Sequence, residues 1–197
     1  MSHLRVAGIG IALWLASLPA YTAAPSDTRP VFTVYGAQLS GERTWQKVLT
    51  EPGGRFVDAY LVAGTVAAPY ASAMHDALQL EAEGQLVYNF GSQHHWEINA
   101  IPVVARWCRF PWSDRVATSA AFGLGLSYAT EVPKMEIALE GTSRQLLVAW
   151  FVEMTAGPND APWAISLRLH HRSDGFGLLG TDGGMNALGL GVRMRFH

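Results

Sequence analysis

Three segments of the chain alternate between apolar residues and small or polar residues. In residues 78–90, Leu, Ala, Gly, Tyr and Phe share one set of alternate positions, while Gln, Glu and Asn share the other, with Val87 as the exception. Residues 116–128 and 187–196 repeat the pattern, with small residues or arginine on the second face. Successive side chains of a β-strand point to opposite faces, whereas a period of two would scatter apolar residues all around a helix. The pattern therefore predicts strands.

Reading the whole chain in this way predicts eight strands. They lie near residues 31–40, 55–67, 78–90, 94–108, 116–130, 144–156, 162–173 and 186–196. Most are at least ten residues long, nearer to the ~9–11 residues of a membrane-spanning strand than to the ~5–6 of a soluble one. The number is even, as in bacterial single-chain barrels. The predicted fold is an all-β, eight-stranded, antiparallel transmembrane up-and-down β-barrel; a soluble β-sandwich is the alternative.

Several details of this barrel follow from the sequence. Pro102 interrupts the fourth strand, where the apolar phase slips. With the N-terminus in the periplasm, the long loops 41–54, 131–143 and 174–185 are extracellular, but 91–93 is short for an outer loop and 68–77 is long for an inner turn. Aromatic residues near strand ends are expected to form girdles at the membrane interfaces. They are Tyr35, Tyr60, Phe110, Trp112, Tyr128, Trp163 and Phe196.

The N-terminal segment reads as a secretory signal peptide. Residues 1–23 combine an early arginine, an apolar run and small residues, which predicts cleavage between positions 20 and 24 and a barrel over 24–197. Together with the barrel, this segment predicts the bacterial outer membrane as the location. Charged residues make up only 15% of the chain, compared with about 25% in soluble domains.

The remaining composition excludes several classes of protein. The net charge of -2 argues against a nucleic-acid partner, which would need a basic stripe. The single cysteine, Cys108, excludes an internal disulfide. Histidines at 75, 94, 95 and 197 show no metal-ligand spacing, and the pair His94–His95 is expected in a solvated turn. We therefore expect no metal and no cofactor.

The candidate chemistry lies at the end of the seventh strand. Alternation places Leu167 and Leu169 on the lipid-facing side and continues to His171 and Ser173, while Arg168 and Arg172 point inward. Side chains at positions i and i+2 of a strand share a face, with Cα atoms ~6–7 Å apart. A histidine beside a serine can take the proton of the hydroxyl during nucleophilic attack. The pair is a candidate for nucleophilic catalysis, although both residues are also compatible with a wet interface.

At this point the chain resembles a known family. The motif His171-Arg172-Ser173-Asp174-Gly175, a Gly-rich loop and the final strand 189–196 look like the lipid A 3-O-deacylases, the PagL family. The resemblance covers about the last 30 residues. It implies an eight-stranded outer-membrane barrel that hydrolyses an ester-linked acyl chain of lipid A, with Ser173 as the nucleophile and His171 as the general base. It also implies lipopolysaccharide as the partner. From the charges near the motif we expect Arg172 and nearby loop cations to hold the lipid A phosphates.

Two departures from the family pattern concern the same site. Asp174 stands where the family has asparagine, so its charge would oppose a developing oxyanion, and backbone N–H groups would have to stabilise that oxyanion. Where the family has an acid that orients the histidine, this chain has Met185 and Asn186. Asn186 shares the lipid-facing parity of Leu188 and can orient a neutral imidazole through its amide. Asp182, on the Gly-rich loop, is the alternative.

Two further functions remain open from the sequence. The first is a non-catalytic barrel with a structural or adhesin-like role, in which Ser173 has no chemical part. The second is a narrow pore, but the inward charges of an eight-stranded barrel are expected to fill its interior and pair there. Glu153 is expected to pair inside the barrel with Arg168 or Arg193.

Overall fold

The computed structural model describes residues 26–51 and 55–196, so the predicted signal peptide lies outside the described residues. Eight strands and two short helices make up the fold. They are β1 (Val31–Ser40), α1 (Trp45–Thr50), β2 (Phe56–Ala73), β3 (Leu78–Gly91), β4 (His95–Trp107), β5 (Ala117–Ala129), α2 (Lys134–Glu140), β6 (Leu146–Gly157), β7 (Trp163–Ser173) and β8 (Gly184–Arg195). Each strand pairs antiparallel with its sequence neighbour, and β1 closes the sheet against β8. The predicted eight-stranded up-and-down barrel is confirmed.

The strands alternate between buried and exposed side chains as the period of two predicts. In β3, residues 81, 83, 85, 87 and 89 are buried in the lumen, while 82, 84 and 86 are exposed outside. Val87, the exception in the sequence pattern, is an inward apolar residue. The narrow lumen needs small residues beside large ones. A Cβ at Gly123 would lie 2.3 Å from the ring of Phe151, so this inward glycine makes room for an aromatic side chain.

The predicted charge pairing fills the lumen. Arg168 forms ion pairs with Glu83 at 2.7 Å and Glu153 at 2.6 Å. Arg106 joins the same group through Glu153, at 2.9 Å, and Glu81 pairs with both Arg106 and Arg193, at 3.0 and 2.8 Å. Three arginines thus face three glutamates, and the positive and negative charges are equal in number. Such paired, hydrogen-bonded charges are the form in which a barrel interior tolerates ionised groups.

The structure corrects the predicted boundaries in one place. The prediction ended the second strand at residue 67, but β2 continues to Ala73. The predicted long inner loop 68–77 is therefore a tight turn of residues 74–77, closed by a hydrogen bond from the Ala77 N–H to the Met74 carbonyl. Register shifts near Pro69 and Pro102 mark irregularities in β2 and β4. Proline lacks the N–H that a regular ladder needs, which explains the slipped phase in the fourth strand.

Two residues are buried in the lumen, where the sequence did not predict them. Tyr35 was predicted in an interfacial girdle, but it is buried in the lumen, 3.1 Å from His170 Nδ1. His95 was predicted in a solvated turn, but it is buried with Glu97, at 3.2 Å. Both lie at inward positions of their strands, so strand parity outweighs closeness to a strand end. Tyr128, Trp163 and Phe196 are exposed on the outside, as the girdle prediction requires.

The longer connections gather at one end of the barrel, called here the loop end. It carries α1 and α2 and the connection from β7 to β8. Neither helix in the described part of the chain is long and apolar enough to span a membrane. At the loop end, α1 packs against β6 through Trp45 and Trp150, and α2 is joined to β7 by the ion pair of Glu136 with Arg172.

Candidate active site

The side chains on the outward face of β7 change from exposed to buried along the strand. Trp163, Ile165 and Leu167 are exposed on the outer wall, whereas Leu169 and His171, at the same parity, are buried. Ser173 continues this face and is half-buried at the end of the strand. His171 is paired across β7 with Trp150 of β6 on one side and with Asn186 of β8 on the other. The candidate site is thus on the outer wall, but under a cover at the loop end.

A hydrogen bond joins the candidate histidine to the candidate orienting residue. His171 Nδ1 lies 2.7 Å from Asn186 Oδ1. The amide orientation is determined by its other end, because Asn186 Nδ2 donates to the Glu42 carbonyl at 3.0 Å. Since Oδ1 can only accept, His171 Nδ1 carries the proton. The lone pair of the neutral ring is then on Nε2, the nitrogen that a general base uses.

A stack of aromatic side chains covers the imidazole. The ring of Trp150 lies 4.2 Å from that of His171, at an interplanar angle of 29°. Trp45 of α1 packs edge-on against Trp150, at 5.8 Å and 88°. These contacts leave His171 only 9% exposed. His171 has the outward parity that the sequence predicts, but it is not open to lipid, and neither is Asn186, which is 1% exposed.

The part that both tryptophans play in the site is not predicted from the sequence. The alternation in β6 predicts that Trp150 points outward. Only the register between β6 and β7, which the sequence does not give, places it opposite His171. Trp45 lies in a segment that was predicted as a loop. Contacts between a loop and a strand surface depend on how the whole chain folds back, and local periodicity carries no information about them.

The nucleophile candidate stands next to a compact turn. The Asp174 carboxylate accepts a hydrogen bond from the Gly177 N–H at 2.5 Å, and the Asp174 carbonyl accepts one from Leu179 at 3.0 Å. The carboxylate is thus engaged within its own turn. Among the described residues, no hydrogen bond connects Ser173 to His171. Catalytic hydrogen bonds are often long in unliganded enzymes and shorten in the substrate complex, so this geometry is compatible with the catalytic pair.

Arg172, between the two candidate residues, points inward and is fully buried. Its guanidinium lies 3.2 Å from Glu136 of α2 and 3.4 Å from Glu97 of β4. The prediction that Arg172 holds a lipid phosphate is wrong, because both faces of its group are occupied inside the protein. Burial raises the pKa of the Glu136 carboxyl, and the charge of Arg172 opposes that rise. The pair ties α2 to the strand that carries the site.

Two other acidic residues considered in the sequence, Glu153 and Asp182, lie apart from His171 in the structure. Glu153 pairs inside the barrel with Arg168 and Arg106, so it takes no part in the outer site. Asp182 lies in the β7–β8 connection, where its N–H donates to Thr142, and no described hydrogen bond joins it to His171. Within residues 26–51 and 55–196, no group of three or more His, Cys, Asp or Glu side chains is placed to hold a metal ion.

An apolar groove of about 490 Å³ runs along the outer wall below the site. Its base lies over β1 at Gly36, and Leu188 and Leu190 of β8 form one side. Tyr60 and Phe90 form the opposite side, with their rings stacked at 5.6 Å. Leu188 is two residues from Asn186 on the same outward face, so the groove lies beside the candidate site, although none of the three site residues lines it.

These features define an outer-membrane type of eight-stranded barrel with a covered histidine–asparagine pair on its outer wall. No family model and no curated protein matches the chain. Among solved structures, the fold is similar to that of a protein described as the outer membrane enzyme PagL. The two agree with a TM-score of 0.60 over 85% of this chain and 99% of that chain, at 11% sequence identity. The structural similarity shows the barrel fold and agrees with the resemblance seen in the sequence.

Proposed function

We propose that this protein is an outer-membrane carboxylic ester hydrolase that removes an ester-linked acyl chain from lipid A of lipopolysaccharide. Ser173 is the nucleophile, His171 is the general base and Asn186 orients the imidazole. The observation that carries the proposal is the hydrogen bond between His171 and Asn186, with the amide held by the Glu42 carbonyl. This arrangement leaves Nε2 as the basic nitrogen of a neutral ring, two residues from Ser173 on the same outward strand face. The PagL-like barrel and the C-terminal motif support the same reaction.

The proposed reaction begins with attack of Ser173 Oγ on the ester carbonyl. His171 Nε2 takes the hydroxyl proton and then gives it to the departing alkoxide of the sugar, which leaves an acyl-enzyme. Water attacks this ester, His171 again accepts a proton, and the fatty acid departs as Ser173 regains its hydrogen. The N–H groups of Gly175 and Phe176 follow Ser173 and, within the described residues, donate to no acceptor. We assign the oxyanion to these two groups.

Among the described residues, no carboxylate forms a hydrogen bond or ion pair with His171, whose partner Asn186 is neutral. The face of Trp150, 4.2 Å away, supplies an alternative stabilisation for the imidazolium formed during the reaction. A cation over an indole face is stabilised by about 0.5–2 kcal/mol, with the larger value where water is excluded. Trp45 packs edge-on against Trp150 and covers part of the stack.

The apolar groove supplies the binding surface for the acyl chain. Leu167, Leu188 and Leu190 line it on the proposed approach to Ser173. An extended hydrocarbon in this groove would bring its ester carbonyl towards the loop end, where the site lies at headgroup depth. Arg43, just before α1, and Lys47, within it, are exposed and form surface ion pairs with Glu140 and Glu42. We assign the contact with lipid phosphates to these two cations in place of the buried Arg172.

The function is tested by mass spectrometry of lipid A after purified lipopolysaccharide is incubated with the purified protein. We expect the lipid A mass to fall by one hydroxyacyl group and a free 3-hydroxy fatty acid to appear. An unchanged lipid A mass, with the barrel shown to be folded by its heat-modifiable electrophoretic migration, would contradict the hydrolase and favour the non-catalytic binding barrel.

Replacing Asn186 tests the orienting role. Asn186→Ala removes the acceptor of the His171 Nδ1–H and is expected to lower kcat about 10- to 100-fold, because a buried hydrogen bond of this kind contributes about 1–3 kcal/mol. Asn186→Asp keeps an acceptor at that nitrogen and is expected to retain more activity than the alanine variant. Release of fatty acid from lipopolysaccharide is the measurement.

The control is Asn159→Ala, at an exposed turn on the opposite end of the barrel, which is expected to keep full activity. Wild-type kcat in a folded Asn186→Ala protein would remove Asn186 from the proposed mechanism while leaving Ser173 and His171 to be tested separately.

A further inference from the structure

The turn after Ser173, residues 174–180, exposes two large apolar side chains. Phe176 is 107% exposed and Leu178 is 78% exposed, the two highest values among the large apolar residues described. Phe176 also has a positive φ of 61°. A bulky residue rarely adopts this conformation, so the surrounding turn must hold it there.

Asp174 supplies the bonds that hold the turn. Its carboxylate accepts a hydrogen bond from the Gly177 N–H, and its carbonyl accepts one from the Leu179 N–H. Both hydrogen bonds span residue 176. A further bond from Leu178 to the Gly175 carbonyl, at 3.4 Å, tightens the same segment. The apolar side chains are thus displayed by a hydrogen-bonded turn and not by a loose loop.

The turn leans against the outer wall of the barrel. A Cβ at Gly175 would lie 2.7 Å from Val148 Cγ2, and Val148 has the outward parity of β6. Leu146, two residues away on the same face, is 45% exposed. The exposed side chains of the turn therefore continue the apolar surface that contacts lipid in a membrane barrel.

We propose that residues 174–180 form a lipid-inserting turn, in which Phe176 and Leu178 enter the outer leaflet at the boundary between headgroups and acyl chains, and Asp174 holds them in position. The occupant of this apolar surface is lipid, because the surface is continuous with the lipid-facing wall. Burying such side chains in an apolar phase is favourable because it removes apolar surface from water. The turn would anchor the loop end beside Ser173 in the lipid layer. The proposal rests on the barrel fold and is independent of the proposed reaction.

Spin labelling in membranes tests this position. Cys108→Ser removes the native thiol, and Phe176→Cys or Leu178→Cys receives a nitroxide in protein reconstituted into phosphatidylcholine vesicles. Glu131→Cys, at an exposed position of another loop-end connection, is the matched control. We expect the labels at 176 and 178 to collide several-fold more with oxygen than with a water-soluble nickel chelate, and the label at 131 to show the reverse.

Three results would overturn the proposal. Nickel access at 176 equal to that at 131 would place the turn in water. Low access to both reagents would mean that a second copy or another protein segment covers it. Asp174→Ala is expected to release the label at 176 to water, whereas Asp174→Asn keeps a hydrogen-bond acceptor and is expected to preserve the wild-type pattern. Unchanged access at 176 in Asp174→Ala would show that Asp174 does not hold the turn in position. No activity is measured, so failure here and failure of the hydrolase proposal are distinguishable.

Discussion

Ser173→Ala is expected to abolish release of the 3-hydroxy fatty acid from lipopolysaccharide. The change removes the only proposed nucleophilic atom and leaves the fold intact, because Ser173 is half-buried and its hydroxyl forms no hydrogen bond within the described part of the chain. Loss of a serine nucleophile in a serine–histidine site lowers kcat by as much as about 10⁶-fold. The measurement is fatty-acid release followed by mass spectrometry over a time course long enough to detect a residual rate.

Ser127→Ala is the matched control. Ser127 is also a strand serine, but it faces the lumen, where its hydroxyl is buried without a described partner. Its substitution is expected to leave activity unchanged. Equal rates for Ser173→Ala and the wild-type protein would end the role of Ser173 as nucleophile, whatever the behaviour of Asn186→Ala.

Arg168→Met is expected to destabilise the barrel by about 3–5 kcal/mol, because it leaves buried carboxylates without their partner. Arg168 is fully buried and holds Glu83 and Glu153, and its guanidinium lies 3.9 Å from the centre of the Phe151 ring. Glu153 retains Arg106, whereas Glu83 loses its only described arginine. The measurement is urea unfolding of the reconstituted protein, followed by tryptophan fluorescence and heat-modifiable migration.

Two further variants make this result interpretable. Arg115→Met, at an exposed turn position, is expected to change stability by less than about 0.5 kcal/mol. Adding Glu83→Gln to Arg168→Met is expected to recover part of the loss, since it removes the stranded charge. Additive losses in the double variant would show that the two residues are not coupled and would contradict the ion-pair account.

The barrel was predictable from the sequence because a strand in a membrane wall obeys a strict rule. Lipid contacts one face and a packed lumen the other, so each position must match its side, as residues 81–89 do. The same rule placed His171 and Ser173 on one outward face and Glu153 inside. The predictions for Tyr35 and His95 were wrong because closeness to a strand end was given more weight than this rule. The predicted end of the second strand was wrong because β2 continues through an irregularity at Pro69.

The candidate site was only partly predictable. The sequence supplied three residues of suitable chemistry, but their meeting depends on register between strands that are neighbours only in the closed sheet. His171 lies opposite Asn186 because β7 and β8 pair with that offset, and the amide has one orientation because the Glu42 carbonyl from another segment is close to it. Arg172 shows the reverse case: parity predicted that it points inward, and its buried ion pair there excludes the phosphate contact that we expected from its charge.

The sequence by itself determined which residues face lipid and which face the lumen, because that division follows from a local period of two. Tertiary structure alone decided that α1 and the 42–43 backbone cover the imidazole, that Trp150 stacks on it, and that the turn at 174–180 leans on the outer wall. These contacts join segments distant in the chain. Their geometry depends on how eight strands close and on how the connecting loops fold back over the wall, and no local pattern encodes either.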